Sequence, residues 1–231
     1  MGKMCADDNN ERFNMAYLAA RTCARINGGS ELHGAVSKKI FAGLYPDWPL
    51  VEIPVSYVTN GVHMPSWDSA LADKVWTDSC GKDRWLGAQE CLNSKIEKLD
   101  DNEIWSLRGQ QRTDLIHYVR RRLSDQKRRS PNSGQPIEQA QTILDPNILT
   151  LGFARRFTEY KRPNLLLAEQ QRLINLLSNT QMPLQIIIAG KAHPQDNKGK
   201  HFIKEWFAFL QRPEVRPHIV FLEDYDIRLA Q

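Results

Sequence analysis

The sequence predicts an α/β fold, a Rossmann-like βαβαβ half with a parallel sheet, preceded by a helical segment. Three observations predict it. The last third alternates short apolar runs with helix-length amphipathic stretches, and helices alternating with buried strands make successive βα units with right-handed crossovers. Ahead of these units, residues 68–99 read as several short helices and residues 101–129 as one long helix. The series stops after its third strand, where residues 226–231 read as the first turns of a helix, so the sheet is expected to be incomplete, with an apolar edge exposed at residues 219–222.

Composition excludes several classes. The chain has 231 residues, 31 Lys and Arg against 27 Asp and Glu, and an apolar share of 41%. That suffices for a core and excludes wholesale disorder. No run of 18 apolar residues occurs, so no membrane-spanning helix is expected. Residues 1–8 lack the apolar core of a secretory signal. Cys5, Cys23, Cys80 and Cys91 have no metal-ligand spacing and read as reduced thiols of a cytoplasmic protein.

In chain order, residues 12–26 read as a helix with Phe13, Ala16, Tyr17, Ala20 and Ala24 on one face. Asn27-Gly28 is expected to stop it, and Ser30 to start a second helix to about Phe41. Residues 51–58 read as a strand entering a turn at Asn60-Gly61, and residues 68–99 as several short helices. Residues 101–129 form one long helix, with Trp105, Leu115, Ile116, Val119 and Leu123 on one side and arginines on the other. Residues 130–134 read as a linker. Strands follow at 148–153, 184–189 and 218–222, with helices at 163–177 and 202–210 between them.

Ligands of an open parallel sheet bind outside the carboxyl ends of its strands. Three loops meet that condition. The first, after residue 154, carries Arg155, Arg156, Lys161 and Arg162; the second is Gly190-Lys191-Ala192-His193-Pro194; the third is Glu223-Asp224-Tyr225. Arginine and lysine beside a helix start suit a phosphate. No GxGxxG or GxxxxGK[ST] occurs, which argues against a dinucleotide fold of the usual kind and against a P-loop enzyme. A second basic feature lies at 101–135, with eight basic residues against four acids. It reads either as a solvated helix face or as a salt-dependent nucleic-acid surface, although no reader motif accompanies it.

Six blocks then follow in a familiar order. They are Phe13-Asn14-Met15-Ala16; Asn27-Gly28-x-Ser30-x-Leu32-His33-Gly34; Thr59-Asn60-Gly61-Val62-His63; Gly152-Phe153-Ala154-Arg155-Arg156-Phe157-x-x-Tyr160-Lys161-Arg162; Ala189-Gly190-Lys191-Ala192-His193-Pro194; and Val220-Phe221-Leu222-Glu223-Asp224-Tyr225. From Phe13 to Gln231 the chain resembles the α-glucan (glycogen/maltodextrin) phosphorylases, most closely their shorter bacterial and archaeal branch.

The resemblance implies an incomplete glycosyltransferase B-type fold, in which residues 1–60 end the N-terminal lobe. Residues 61–147 would be a helical segment opening the C-terminal lobe, and residues 148–231 its first βα units. It implies phosphorolysis of an α-1,4-glucan by inorganic phosphate to glucose 1-phosphate, with pyridoxal phosphate as cofactor. It also implies a family with allosteric members and a possible homo-oligomer. By position, Arg156 and Lys161 match the pair that holds the substrate phosphate. Asn60 matches the asparagine that bonds the glucosyl unit, with His63 beside it, and Arg155 matches a basic residue near the cofactor phosphate. Tyr225, Lys191 and Gly190 fall at the cofactor.

The chain also departs from the family pattern. Gly29 replaces an apolar residue and is expected to loosen its turn. The Schiff-base lysine belongs to a segment beyond the equivalent of Gln231, so the chain alone is expected to be inactive. Residues 1–11 do not resemble the family. His33 reads as a structural hydrogen-bonder, and Tyr160 as packing beneath the arginine loop. The tryptophans read as core or as walls of a sugar cleft. The alternative to an enzyme segment is a non-catalytic glucan- or phosphate-binding remnant.

Overall fold

A computed structural model describes residues 1–4, 10–86, 90–129 and 137–231. Its contacts divide the chain into two units, Met1–His63 and Met64–Gln231. The linker expected at 130–134 lies outside the described residues.

In the first unit, α1 (Met15–Thr22) starts at Asn14, whose Oδ1 accepts from the Ala16 N–H at 2.9 Å. Arg21 reaches back from this helix to the carbonyls of Met1, Lys3 and Met4. The helix is shorter than the spacing predicted. Asn27-Gly28, expected as a stop, lies in strand β1 (Ile26–Gly28), which pairs in parallel with β2 (Val55–Tyr57). Helix α2 (Glu31–Phe41) crosses between them, capped as predicted by the Ser30 hydroxyl accepting from the His33 N–H. The glycines of the first motif make this crossing possible. A Cβ on Gly28 would sit 2.5 Å from the Gly34 nitrogen, and one on Gly34 3.0 Å from the Ser56 carbonyl oxygen. These glycines bring helix and strands together rather than turn the chain. The strand predicted over 51–58 is only the three residues of β2.

The second unit begins with α3 (Met64–Trp67), α4 (Ala70–Cys80) and α5 (Glu90–Ile96). Helix α6 (Asp101–Arg129) has the predicted bounds and is followed by α7 (Ile137–Thr142). Strands β3 (Leu149–Ala154), β4 (Leu184–Ala189) and β5 (Ile219–Leu222) form a parallel sheet in the order β3-β4-β5. Helices α8 (Gln170–Leu177) and α9 (Asn197–Leu210) connect them, and α10 (Ile227–Ala230) ends the chain. The helix expected from 163 starts later, because residues 165–169 form a 3₁₀ turn.

Alternation along the strands builds two cores. Ile186, Ile188, Ile219 and Phe221 face Leu173, Leu177, Trp206 and Phe209 of α8 and α9. Ile187, Ala189, Val220 and Leu222 face Ile116, Val119 and Leu123 of α6, together with Ala140 and Leu144. The apolar side predicted for α6 is therefore partly wrong: Trp105 and Leu115 are exposed, while Leu107 is buried.

The expected apolar edge at residues 219–222 is not exposed either. All four side chains of β5 are buried, and its main chain is met by Gln126 of α6, whose Nε2 donates to the Phe221 carbonyl. At the other edge, β3 does carry exposed apolar side chains, Leu149 and Leu151. Gln185 is 2% exposed on β4, yet fully engaged. It accepts from the Asp145 N–H and donates to the Asp145 carbonyl and the Thr150 hydroxyl, which fixes the entry to β3.

Candidate functional site

The in-register parallel strands bring their carboxyl ends to one edge. Ala154 pairs with Ala189, and Ala189 with Leu222. The loops starting at Arg155, Gly190 and Glu223 therefore leave side by side. The first two stay joined beyond the sheet, since the Arg155 N–H donates to the Ala189 carbonyl and the Phe157 N–H to the Lys191 carbonyl, each at 3.1 Å. Phe157 is fully buried, with its ring 5.6 Å from that of Phe153 and 5.9 Å from that of Phe221. Phe157 turns into the core, while Arg155 and Arg156 before it stay exposed.

The loop then makes a 3₁₀ turn at Glu159–Lys161, ended by Arg162 in the left-handed region (φ 47°). Lys161 is half-buried, its ammonium 5.6 Å from the ring centroid of Tyr160, the outer reach of a cation–π contact. Tyr160 is 76% exposed, so it does not pack beneath the loop. Glu159 pairs with Lys198 at the start of α9. Behind the loop, Trp206 donates to the Pro163 carbonyl at 3.1 Å and Asn164 to the Phe202 carbonyl at 3.2 Å. Thr158 keeps a buried hydroxyl without a hydrogen-bond partner.

On the second loop, Gly190 is buried and Lys191 exposed. The space where Gly190 lacks a Cβ is filled by the Arg155 carbonyl and the Phe157 ring. Gly190 thus supports the first loop and offers no room to a ligand there. His193 accepts at Nδ1 from the Gln195 N–H, a local turn. On the third loop, Tyr225 is half-buried against the core under α6. The carbonyls of Glu223 and Asp224 accept from Arg122, and Asp224 is left-handed (φ 54°).

Sequence reasoning missed Arg122 and Gln126 as the residues that hold this loop. Arg112 and Arg120 are used in the same way, on the carbonyls of Pro146 and of Ile143 and Leu144. Three of the eight basic residues of the 101–135 stretch are therefore engaged by main-chain carbonyls.

Asn60 and His63 belong to the first unit, and both are exposed. The Asn60 N–H donates to the Gly29 carbonyl at 3.2 Å, and its carboxamide lies where a Cβ on Gly29 would approach Nδ2 to 2.9 Å. The absence of a side chain at Gly29 lets the Asn60 carboxamide approach this closely. The Gly29 N–H donates to His33 Nδ1 at 2.9 Å, a structural histidine as read from the sequence. Of the tryptophans, Trp206 is core, Trp48, Trp67 and Trp105 are exposed, and Trp85 carries the Arg84 guanidinium 4.3 Å from its ring centroid.

Among the described residues, no cluster of His, Cys, Asp or Glu could hold a metal ion, and no helix is long and apolar enough to cross a membrane.

Comparison with known proteins accords with the motif order. The carbohydrate phosphorylase family profile matches residues 2–231, so residues 1–11, which did not resemble the family, fall almost entirely within it. The chain is 37% identical over 226 residues to a glycogen phosphorylase of Mycobacterium tuberculosis, covering 98% of this chain and 26% of that protein. It is 34% identical over 230 residues to a maltodextrin phosphorylase of Thermococcus litoralis, covering 96% of this chain and 26% of that protein. It is also 34% identical over 225 residues to a glycogen phosphorylase of Aquifex aeolicus, covering 97% and 32%. The chain thus spans between a quarter and a third of the length of these relatives. With its ordered motifs and its parallel α/β unit, the chain belongs to the carbohydrate phosphorylase family.

Proposed function

We propose that this chain is part of a glycosyltransferase B-type enzyme that phosphorolyses an α-1,4-glucan to glucose 1-phosphate, and that it supplies the wall handling the phosphate. The observation that carries the proposal is the convergence of Arg155, Arg156, Lys161 and Lys191 on two hydrogen-bonded loops at the carboxyl edge of the sheet. Phosphate attack at a glycosidic carbon gathers negative charge beside an oxocarbenium-like centre, and fixed cations stabilise that arrangement. Arg156 offers a planar fork to two phosphate oxygens, and Lys161 a movable point charge. Arg156 is well suited to this, because the residue after it is locked in the core. Asn60 and His63 of the first unit would bond the glucosyl unit.

Pyridoxal phosphate is the cofactor this reading implies, and the residues present fit its phosphate group. Arg155 and Lys191 are exposed cations on adjacent loops, and the Thr158 hydroxyl is buried without a partner. When bound, the cofactor supplies a second phosphate group to the chemistry. Tyr225 would line its pocket. Neither Lys161 nor Lys191 is enclosed as an attachment lysine must be. The proposal therefore includes an isolated chain without phosphorylase activity.

The complete protein containing this chain, loaded with cofactor, should release glucose 1-phosphate from maltodextrin and inorganic phosphate. A loaded, folded protein that releases none would defeat the proposal.

A further inference from the structure

The loop that carries Arg156 and Lys161 is approached on two sides by glycines. A Cβ on Gly190 would lie 2.2 Å from the Arg155 carbonyl oxygen, and one on Gly199 2.3 Å from the Phe157 carbonyl oxygen. Gly199 is the third residue of α9, with its N–H held by the Asp196 carboxylate at 2.8 Å. Glycine is the poorest helix former after proline, so its place in the first turn of a 14-residue helix needs a reason. The Phe157 carbonyl supplies one. Gly109, within α6, shows the contrast: a Cβ there would meet only the end of the Arg112 side chain, at 3.8 Å.

We propose that Gly199 is a positioning residue for Arg156 and Lys161. Lacking a side chain, it lets α9 close on the Phe157 carbonyl and so fixes the loop one residue after Arg156 and four before Lys161. The inference rests on the phosphate role proposed above for those two side chains. Alanine at 199 would force helix and carbonyl apart by about 1.1 Å, from 2.3 Å to 3.4 Å, to restore an ordinary contact. The Phe157 ring, fully buried against Phe153 and Phe221, cannot absorb that movement. The displacement passes instead to the exposed residues on either side. Lys198, next to Gly199, adds an outer tie through its ion pair with Glu159.

The test is steady-state kinetics of the complete enzyme with inorganic phosphate and maltodextrin varied separately. Gly199→Ala is expected to raise the phosphate KM about 10- to 100-fold and to change the glucan KM less than about 2-fold, since a misplacement near 1 Å can cost two decades. Lys198→Met, which leaves the core untouched, should raise the phosphate KM about 2- to 5-fold, the scale of one exposed ion pair. Gly109→Ala should leave both constants unchanged. An unchanged phosphate KM in Gly199→Ala would overturn the inference, and if that variant fails to fold, an unchanged phosphate KM in Lys198→Met does so.

An unmutated protein that makes no glucose 1-phosphate would instead defeat the phosphorylase reading. The inference is then decided without activity, by backbone amide chemical shifts of the 231-residue chain. Shifts from Lys198→Met that reach residues 155–161 support it, and shifts confined to α9 overturn it.

Discussion

Gln126 pairs with the outer edge of β5 as a neighbouring strand would, its Nε2 donating to the Phe221 carbonyl at 3.2 Å. Its Oε1 accepts from the Glu223 N–H at 3.0 Å, so one side chain satisfies a donor and an acceptor of the strand edge. One turn earlier on the same helix, Arg122 holds the carbonyls of Glu223 and Asp224. Helix α6 thus covers one face of the sheet and also fixes the third strand-end loop.

Removing this pairing should be visible in stability. Gln126→Ala leaves the Phe221 carbonyl and the Glu223 N–H without their partner, at a cost of about 1–3 kcal/mol. Urea unfolding of the 231-residue chain should show a lower midpoint at an unchanged slope. An unchanged midpoint would mean that water replaces the glutamine and that the edge is not closed by it.

A second prediction concerns Arg84. Its guanidinium bonds Asp68 and Asp73, each at 2.8 Å, and the Thr77 hydroxyl at 2.9 Å. The Arg84 and Asp68 side chains are nearly inaccessible, while Asp73 is partly exposed. Arg84, and after it Lys82, holds the Asp73 carboxyl below its ordinary value. A depressed carboxylate stabilises the fold above its unfolded pKa, about 3.9, and that contribution is lost as pH falls through the folded value. Arg84→Met should destabilise the chain by about 2 kcal/mol, and Asp73→Asn should flatten the acid limb below pH ~4. An acid limb unchanged in Asp73→Asn would remove Asp73 from the acid response.

Stability should also respond to pH in a higher window. Burial pushes the His218 imidazole below its ordinary value. The folded state therefore favours the neutral ring, and the unfolded chain takes up the proton first as pH falls below about 6.5. Stability is complete above that pH and declines below it, until the folded histidine is protonated as well. Urea midpoints at pH 7.5 and 5.5 should differ more for the unmutated chain than for His218→Gln. Equal differences would show that the loss has another source.

The sequence made some of this legible and hid the rest for physical reasons. Helix α2 could be read from Ser30, because its cap is a local bond to the N–H three residues on. Strand β4 could be read from its apolar run Ile186–Ala189, because both faces of the sheet are covered there. Strand β1 could not: three residues with Asn-Gly inside them are extended only because β2, almost thirty residues later, pairs with them. The edge at β5 was read as exposed because nothing local foretells a glutamine that bonds its main chain from almost a hundred residues away. At the site, the cation loop was legible as a cluster of charges at a strand end. The support beneath it was not, since Gly190 and Gly199 act through space they leave empty for Phe157 and Arg155.

Arg156 and Lys161 are the residues proposed to handle phosphate in glucan phosphorolysis, and Asn60 the one proposed to handle the sugar. The most direct measurement is the KM for inorganic phosphate and for maltodextrin in the complete, cofactor-loaded enzyme carrying Arg156→Ala, Lys161→Ala or Asn60→Ala. Loss of a charge-assisted contact to a buried anion is worth about 1.5–3 kcal/mol. The account therefore predicts a phosphate KM raised by about one to two decades in the first two variants, with the maltodextrin KM little changed, and the opposite pattern in Asn60→Ala. A phosphate KM unchanged in both Arg156→Ala and Lys161→Ala would contradict it.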